Sequence, residues 1–126
     1  MASADGANFE SQPKPNWHLV GKVDELKQKP CRKIYMKNGP SLALFYAAPD
    51  TFFLTNSSCP HNKGPLEQGD IEDIDGRYHI TCPLHFYSFD LTSGMSRSGL
   101  VLKTYQTEIR GDDLYALTDH PVSLTR

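Results

Sequence analysis

The chain is predicted to be all-β, a small antiparallel sandwich or barrel with an inserted metal-binding subdomain. Three observations predict this. Apolar runs are of strand length and are cut by Gly, Pro, Asn and Asp turn signals. No segment repeats apolar residues at helical spacing over more than about one turn. Two irregular stretches, each carrying a Cys and a His, flank one predicted hairpin.

Taken in order, Met1–Asn16 is rich in Ser, Asn, Asp, Gly and Pro and reads as a flexible tail. Trp17–Val20 is a first strand. Val23–Lys29 has room for one helical turn before Pro30. In Arg32–Lys37, Ile34 and Met36 alternate with Lys33, Tyr35 and Lys37, the period of a half-buried strand. Asn38-Gly39-Pro40 is a turn. Ser41–Ala48 is a strand, Pro49-Asp50 a turn and Thr51–Asn56 a third strand, giving a meander.

Asn56–Gly69 turns irregular. Asp70–Ile74 and Arg77–Thr81 form a hairpin around Asp75-Gly76, a dipeptide suited to the two-residue turn with both φ angles positive. Pro83–Tyr87 is a second irregular loop. Ser88–Leu91 is a short strand, Thr92-Ser93-Gly94 a turn, and Val101–Arg110 with Asp113–Leu117 a final hairpin. One domain over residues 17–119 follows, with the inserted subdomain at about 57–90 and a C-terminal tail at 120–126.

Composition narrows the function. A net charge of -2 lacks the basic excess of a nucleic-acid binder. No window approaches the roughly 20 apolar residues of a membrane helix, and the N-terminal residues have neither an apolar signal core nor an arginine-rich presequence. A cytoplasmic, monomeric protein is expected. Three cysteines, Cys31, Cys59 and Cys82, do not make a disulfide framework. Cys31 stands apart and reads as a structural thiol.

The chemistry lies in Cys59-Pro60-His61 and, after 20 further residues, Cys82-Pro83-Leu84-His85. Each arm offers one thiolate and one imidazole. The hairpin between them brings its ends together, so the arms converge. Pro60 and Pro83 stiffen the loops, and Gly64 and Pro65 allow a tight turn. Two thiolates on one iron and two imidazoles on the other fit a mixed-ligand binuclear iron–sulfur cluster. A tetrahedral Cys₂His₂ zinc site is the main alternative, although its usual arms pair Cys with Cys and His with His. A Cys82–His85 nucleophile and base would leave Cys59 and His61 unexplained.

The two segments Cys59–Leu66 and Cys82–Gly94 resemble the two boxes of the Rieske [2Fe-2S] family, and the likeness extends over about Trp17 to Leu117. It implies one [2Fe-2S] cluster per chain, with Cys59 and Cys82 on one iron and His61 and His85 on the other. It also implies a soluble one-electron carrier, without catalysis of its own, between a protein donor and a protein acceptor such as a reductase or oxygenase. A component dedicated to one such system and a zinc-stabilised binding module are the alternatives. A catalytic oxygenase needs a second iron site for which 126 residues leave no room.

Departures from the respiratory members carry further expectations. Gly64 and Leu84 stand where those proteins have a disulfide. Tyr87 and Phe89 stand where they place serine and tyrosine hydroxyls toward the cluster. Fewer such bonds imply a potential at the low end of the family range, roughly -150 mV. Phe86 follows the second histidine where oxygenase-type ferredoxins often have glycine. His18, His79 and His120 read as structural or surface residues. The acidic run Glu67, Asp70, Glu72, Asp73 and Asp75 reads as a solvated hairpin, or else as a steering patch for a basic partner.

Overall fold

The computed structural model describes residues 15–60, 63–83 and 87–125. Eleven strands occur among them, in three antiparallel sheets. β1 (Asn16–Lys22), β9 (Thr107–Arg110) and β10 (Asp113–Thr118) form one sheet in the order β1-β10-β9. The second sheet contains β2 (Cys31–Met36), β3 (Leu42–Ala47), β4 (Thr51–Asn56), β8 (Thr104–Tyr105) and β11 (Val122–Ser123), in the order β11-β2-β3-β4-β8. β5 (Asp70–Ile74), β6 (Arg77–Thr81) and β7 (Ser88–Asp90) make the third. The predicted helical turn is α1 (Val23–Leu26), closed by the Lys27 N–H on the Val23 carbonyl at 3.0 Å.

The all-β class holds, and β4, β5 and β6 occupy the residues expected of them. The predicted strand Val101–Arg110 does not hold as one element. Thr104 and Tyr105 pair with Thr55 and Leu54 of β4, whereas Thr107–Arg110 pair with β10. The chain therefore changes sheets at Gln106, whose carbonyl accepts the Leu117 N–H at 2.9 Å. Within the expected C-terminal tail, Val122 and Ser123 pair with Met36 and Tyr35 at the edge of β2.

β3 explains how the subdomain is held. Its burial is nearly continuous because both faces are covered. Leu42 and Leu44 enter a sandwich core with Val20, Ile34, Leu54 and Leu114. Ala43 and Phe45 enter a second core with Leu66, Ile80, Phe89 and Leu102. Alternate residues of one strand point to opposite faces, so β3 lies between two cores. Burying a side chain such as Phe45 is worth roughly 1.5–3 kcal/mol over leaving it exposed.

In the β5–β6 hairpin, Asp75 and Gly76 have φ of 54° and 83°. That is the turn expected of Asp-Gly, and the Gly76 N–H also donates to Asp73 Oδ1 at 3.0 Å.

Candidate metal centre

Cys59 and Cys82 are 1% and 0% exposed and belong to the same apolar core. Each begins the tip of a narrow loop built in the same way. The Cys59 N–H donates to the Gly64 carbonyl at 2.9 Å, and the Cys82 N–H donates to the Tyr87 carbonyl at 2.8 Å. The first loop is extended downward by a Ser58–Pro65 bridge and by the Leu66 N–H on the Ser57 carbonyl at 2.8 Å. The second continues the β6–β7 ladder, where Thr81 pairs with Ser88. Both cysteines thus sit where a hairpin stem gives way to an irregular tip.

Local sequence produces these tips. Lys63 takes a left-handed φ of 63°, and its N–H donates to the Cys59 carbonyl at 2.7 Å. A 3-10 turn, Leu66–Gln68, then leads into β5 and seats Leu66 in the core. Ser57 Oγ donates to Glu67 Oε1 at 2.5 Å, tying the two sides of the first loop below Cys59.

His61, Leu84, His85 and Phe86 lie outside the described residues. Of the four expected ligands, Cys59 and Cys82 are therefore described, and they are brought into one core. Two buried cysteines there, with no disulfide among the described residues, are a donor pair suited to one iron of a [2Fe-2S] group. Phe89 is fully buried in the same core and has no hydroxyl, while Tyr87 packs partly against it.

The other histidines stand elsewhere. His18 lies on β1 opposite Ala116, His120 precedes β11, and His79 lies on β6 with Nδ1 3.0 Å from the Arg77 carbonyl. Cys31 opens β2, and burial, followed by the charges of Asp70 and Glu67, pushes its thiol up to about 11. Three carboxylates of the acidic run have local partners: Glu67 on Ser57, Glu72 on Thr81 and Asp73 on Gly76. Glu72 and Asp73 brace the hairpin, and Glu67 the first loop.

Sequence reasoning missed the role of Asp90. Its side chain is buried and paired with Arg77. Oδ1 accepts the N–H groups of Thr92 at 2.7 Å and Ser93 at 3.1 Å. Burial alone would push this carboxyl up. The Arg77 hydrogen bond, the two backbone N–H groups and the Arg77 charge outweigh burial and hold it below its ordinary value. The Asp-x-Thr/Ser pattern is a local turn signal; the distant Arg77 partner has none.

The Rieske domain-containing protein of Homo sapiens is 36% identical over 75 residues, 60% of this chain and 46% of that protein. Iodate reductase subunit IdrB of Pseudomonas sp. (strain SCT) is 33% identical over 96 residues, 68% of this chain and 46% of that subunit. The chain thus spans about half the length of the curated relatives it matches. Among solved structures, the Sphingomonas yanoikuyae B1 ferredoxin matches at 27% identity with a TM-score of 0.65, over 84% of this chain and 100% of that one. The family model described as soluble Rieske-type ferredoxin matches residues 18–108, and the chain belongs to that family, for which a [2Fe-2S] cluster is implied.

Proposed function

We propose that the protein is a one-electron carrier holding one [2Fe-2S] cluster per chain on Cys59, Cys82, His61 and His85. The observation that carries this reading is the pair of cysteines buried in one apolar core at the tips of two similarly closed loops. Two thiolates would hold the inner iron and two imidazoles the outer one, and the cluster would accept and release a single electron. The chain's own contribution would be to exclude water from the sulfur side, where both cysteines are buried, and to fix both loops through their backbone hydrogen bonds. Family membership favours this reading over a zinc-stabilised module.

The domain would cover 17–119, with the cluster subdomain at about 57–90. The protein would be a cytoplasmic monomer exchanging electrons with a donor and an acceptor protein of a reductase or oxygenase system. No helix among the described residues is long and apolar enough to cross a membrane.

Purified protein tests the proposal through metal content, visible absorption and the EPR of the dithionite-reduced form. The expected result is two irons per chain, a red-brown oxidised state and a reduced signal with average g below two. A colourless protein with one zinc would refute it.

A further inference from the structure

Met95 and Val101 are each 59% exposed, the two most exposed of the large apolar side chains described. They face each other in an isolated antiparallel bridge, which places both side chains on one side of the chain pair. The finger between them is closed by the Ser96 N–H on the Leu100 carbonyl at 3.1 Å. Its base is anchored twice, by the Asp90 N–H on the Met95 carbonyl at 2.9 Å and the Leu102 N–H on the Gly94 carbonyl at 2.7 Å. A held apolar pair on the surface calls for a partner.

The finger's position relates it to the metal centre. A cavity is lined by Cys59, Pro60 and Lys63 on one side and Val101, Leu102 and Lys103 on the other. Val101 therefore stands at the Cys59 loop. The charged side chains lining that cavity, Lys63 and Lys103, are both cationic. No Asp or Glu occurs from Ser57 to Leu66, from Cys82 to Phe89 or from Leu91 to Thr107, while Lys63, Arg97 and Lys103 do occur and are exposed. The carboxylates Asp70, Glu72, Asp73 and Asp75 sit on the β5–β6 hairpin, on the finger's other side, where Ile74 lines a second cavity with Met95, Arg97 and the Arg77-paired Asp90. A chain of net charge -2 thus presents a locally cationic surface beside its candidate metal centre.

We propose that Met95 and Val101, with Lys63 and Lys103 beside Val101 and Arg97 beside Met95, form a docking patch for a redox protein whose facing surface is apolar at its centre and carries carboxylates toward the Val101 side. The proposal rests on the electron-carrier reading, and it reverses the expectation of a basic partner drawn from the acidic run. Complementary charge steers encounter and sets orientation, and the small apolar centre excludes water. An anionic membrane is the less favoured occupant, because the two exposed apolar side chains, Met95 and Val101, bury little area and neither is aromatic.

The reduced full chain is mixed with ferricyanide, which takes one electron from it to become ferrocyanide, or with the cation tris(phenanthroline)cobalt(III). The ionic strength is raised from about 0.01 M to about 0.1 M, over which the Debye length falls from about 30 Å to about 10 Å. The expected result is a few-fold fall in the ferricyanide rate and a rise in the cobalt rate, with both slopes inverted in R97E/K103E. A ferricyanide rate that rises with salt, as the net charge alone requires, overturns the proposal, as does an unchanged slope in the variant.

A second readout needs no cluster. A leucine-centred oligo-glutamate peptide, joined to the full chain by a carbodiimide, is expected to link mainly to Lys63 and Lys103 and several-fold less in M95S/V101S. Even labelling of Lys22, Lys27, Lys33 and Lys37 overturns the patch, as does sedimentation with phosphatidylserine vesicles in place of peptide capture. If the protein lacks a [2Fe-2S] spectrum, the carrier reading fails while the peptide map still decides the patch. A normal spectrum with an even map refutes the patch alone.

Discussion

The backbone of Gly69 passes so close to Thr81 that a β-carbon on Gly69 would lie 2.1 Å from the Thr81 carbonyl oxygen. Gly69 ends the first loop and Thr81 immediately precedes Cys82, so this contact sets how near the two cysteine-bearing segments come. Asp70 pairs with Thr81 one residue later, which continues the approach into a ladder. The glycine is needed here for space, since its φ of -83° is open to any residue.

Gly69→Ala is therefore expected to force the loop and β6 apart, at a cost of about 3 kcal/mol in folding stability. Chemical denaturation of the purified variant measures this. An accompanying drop in iron per chain would show that the strain reaches the cysteines. Gly76→Ala is the matched control, because nothing lies near its missing β-carbon and its cost is only that of a left-handed backbone.

The features legible from sequence are those set by neighbours in the chain. Asp75-Gly76 specifies its own turn, and the meander from Arg32 to Asn56 is punctuated by turn residues. The cysteine boxes could be found because donor chemistry and spacing are local. Other features depend on distant partners. Gln106 carries no signal that the chain changes sheets there, and Val122–Ser123 is a strand only because Met36 and Tyr35 offer an edge. The apolar run of β3 suggests burial, but that Leu44 and Phe45 serve different cores is a property of the assembled sheets.

Asp90 anchors the segment that leads to the exposed finger, and its removal is expected to be costly. Asp90→Ala forfeits the bonds to Thr92, Ser93 and Arg77 and should lose roughly 2–3 kcal/mol. Arg77 is more than half exposed, so solvent screens its share and the two backbone N–H groups carry most of the effect. Asp90→Asn keeps an acceptor oxygen and should cost less. The folded carboxyl titrates below its ordinary value of 3.8, so its contribution is present above that pH and is lost as pH falls through the depressed folded value. Denaturation of wild type and Asp90→Asn at a series of pH values should show a constant gap near neutrality that closes below about 3.8.

Cys31 is expected to be inert. A thiol that titrates near 11 is ionised to only about one part in a thousand at about pH 8, and the thiolate is the reactive form. Alkylation by iodoacetamide at that pH should be far slower at Cys31 than in the unfolded chain, as read by peptide mass spectrometry. Because the folded value lies above the unfolded one, the linked stability is present below the unfolded value and declines as pH rises through the folded one. Cys31→Ser should keep the visible spectrum, whereas Cys59→Ser and Cys82→Ser should each abolish it.

Phe89 offers a way to tune the potential. It is fully buried with Cys59 and Cys82, and the resemblance places it where respiratory members have a tyrosine hydroxyl directed at the cluster and its cysteine ligand. A hydroxyl donated to a sulfur stabilises the added electron. If that bond is stronger by about 1 kcal/mol in the reduced state, the midpoint rises by roughly 40 mV for a one-electron couple. Phe89→Tyr is therefore expected to move the midpoint upward from a value near the low end of the family range, roughly -150 mV, with the visible spectrum preserved. Protein-film voltammetry of both proteins reads the shift, and a midpoint that stays put or falls would show that the new hydroxyl does not reach a sulfur.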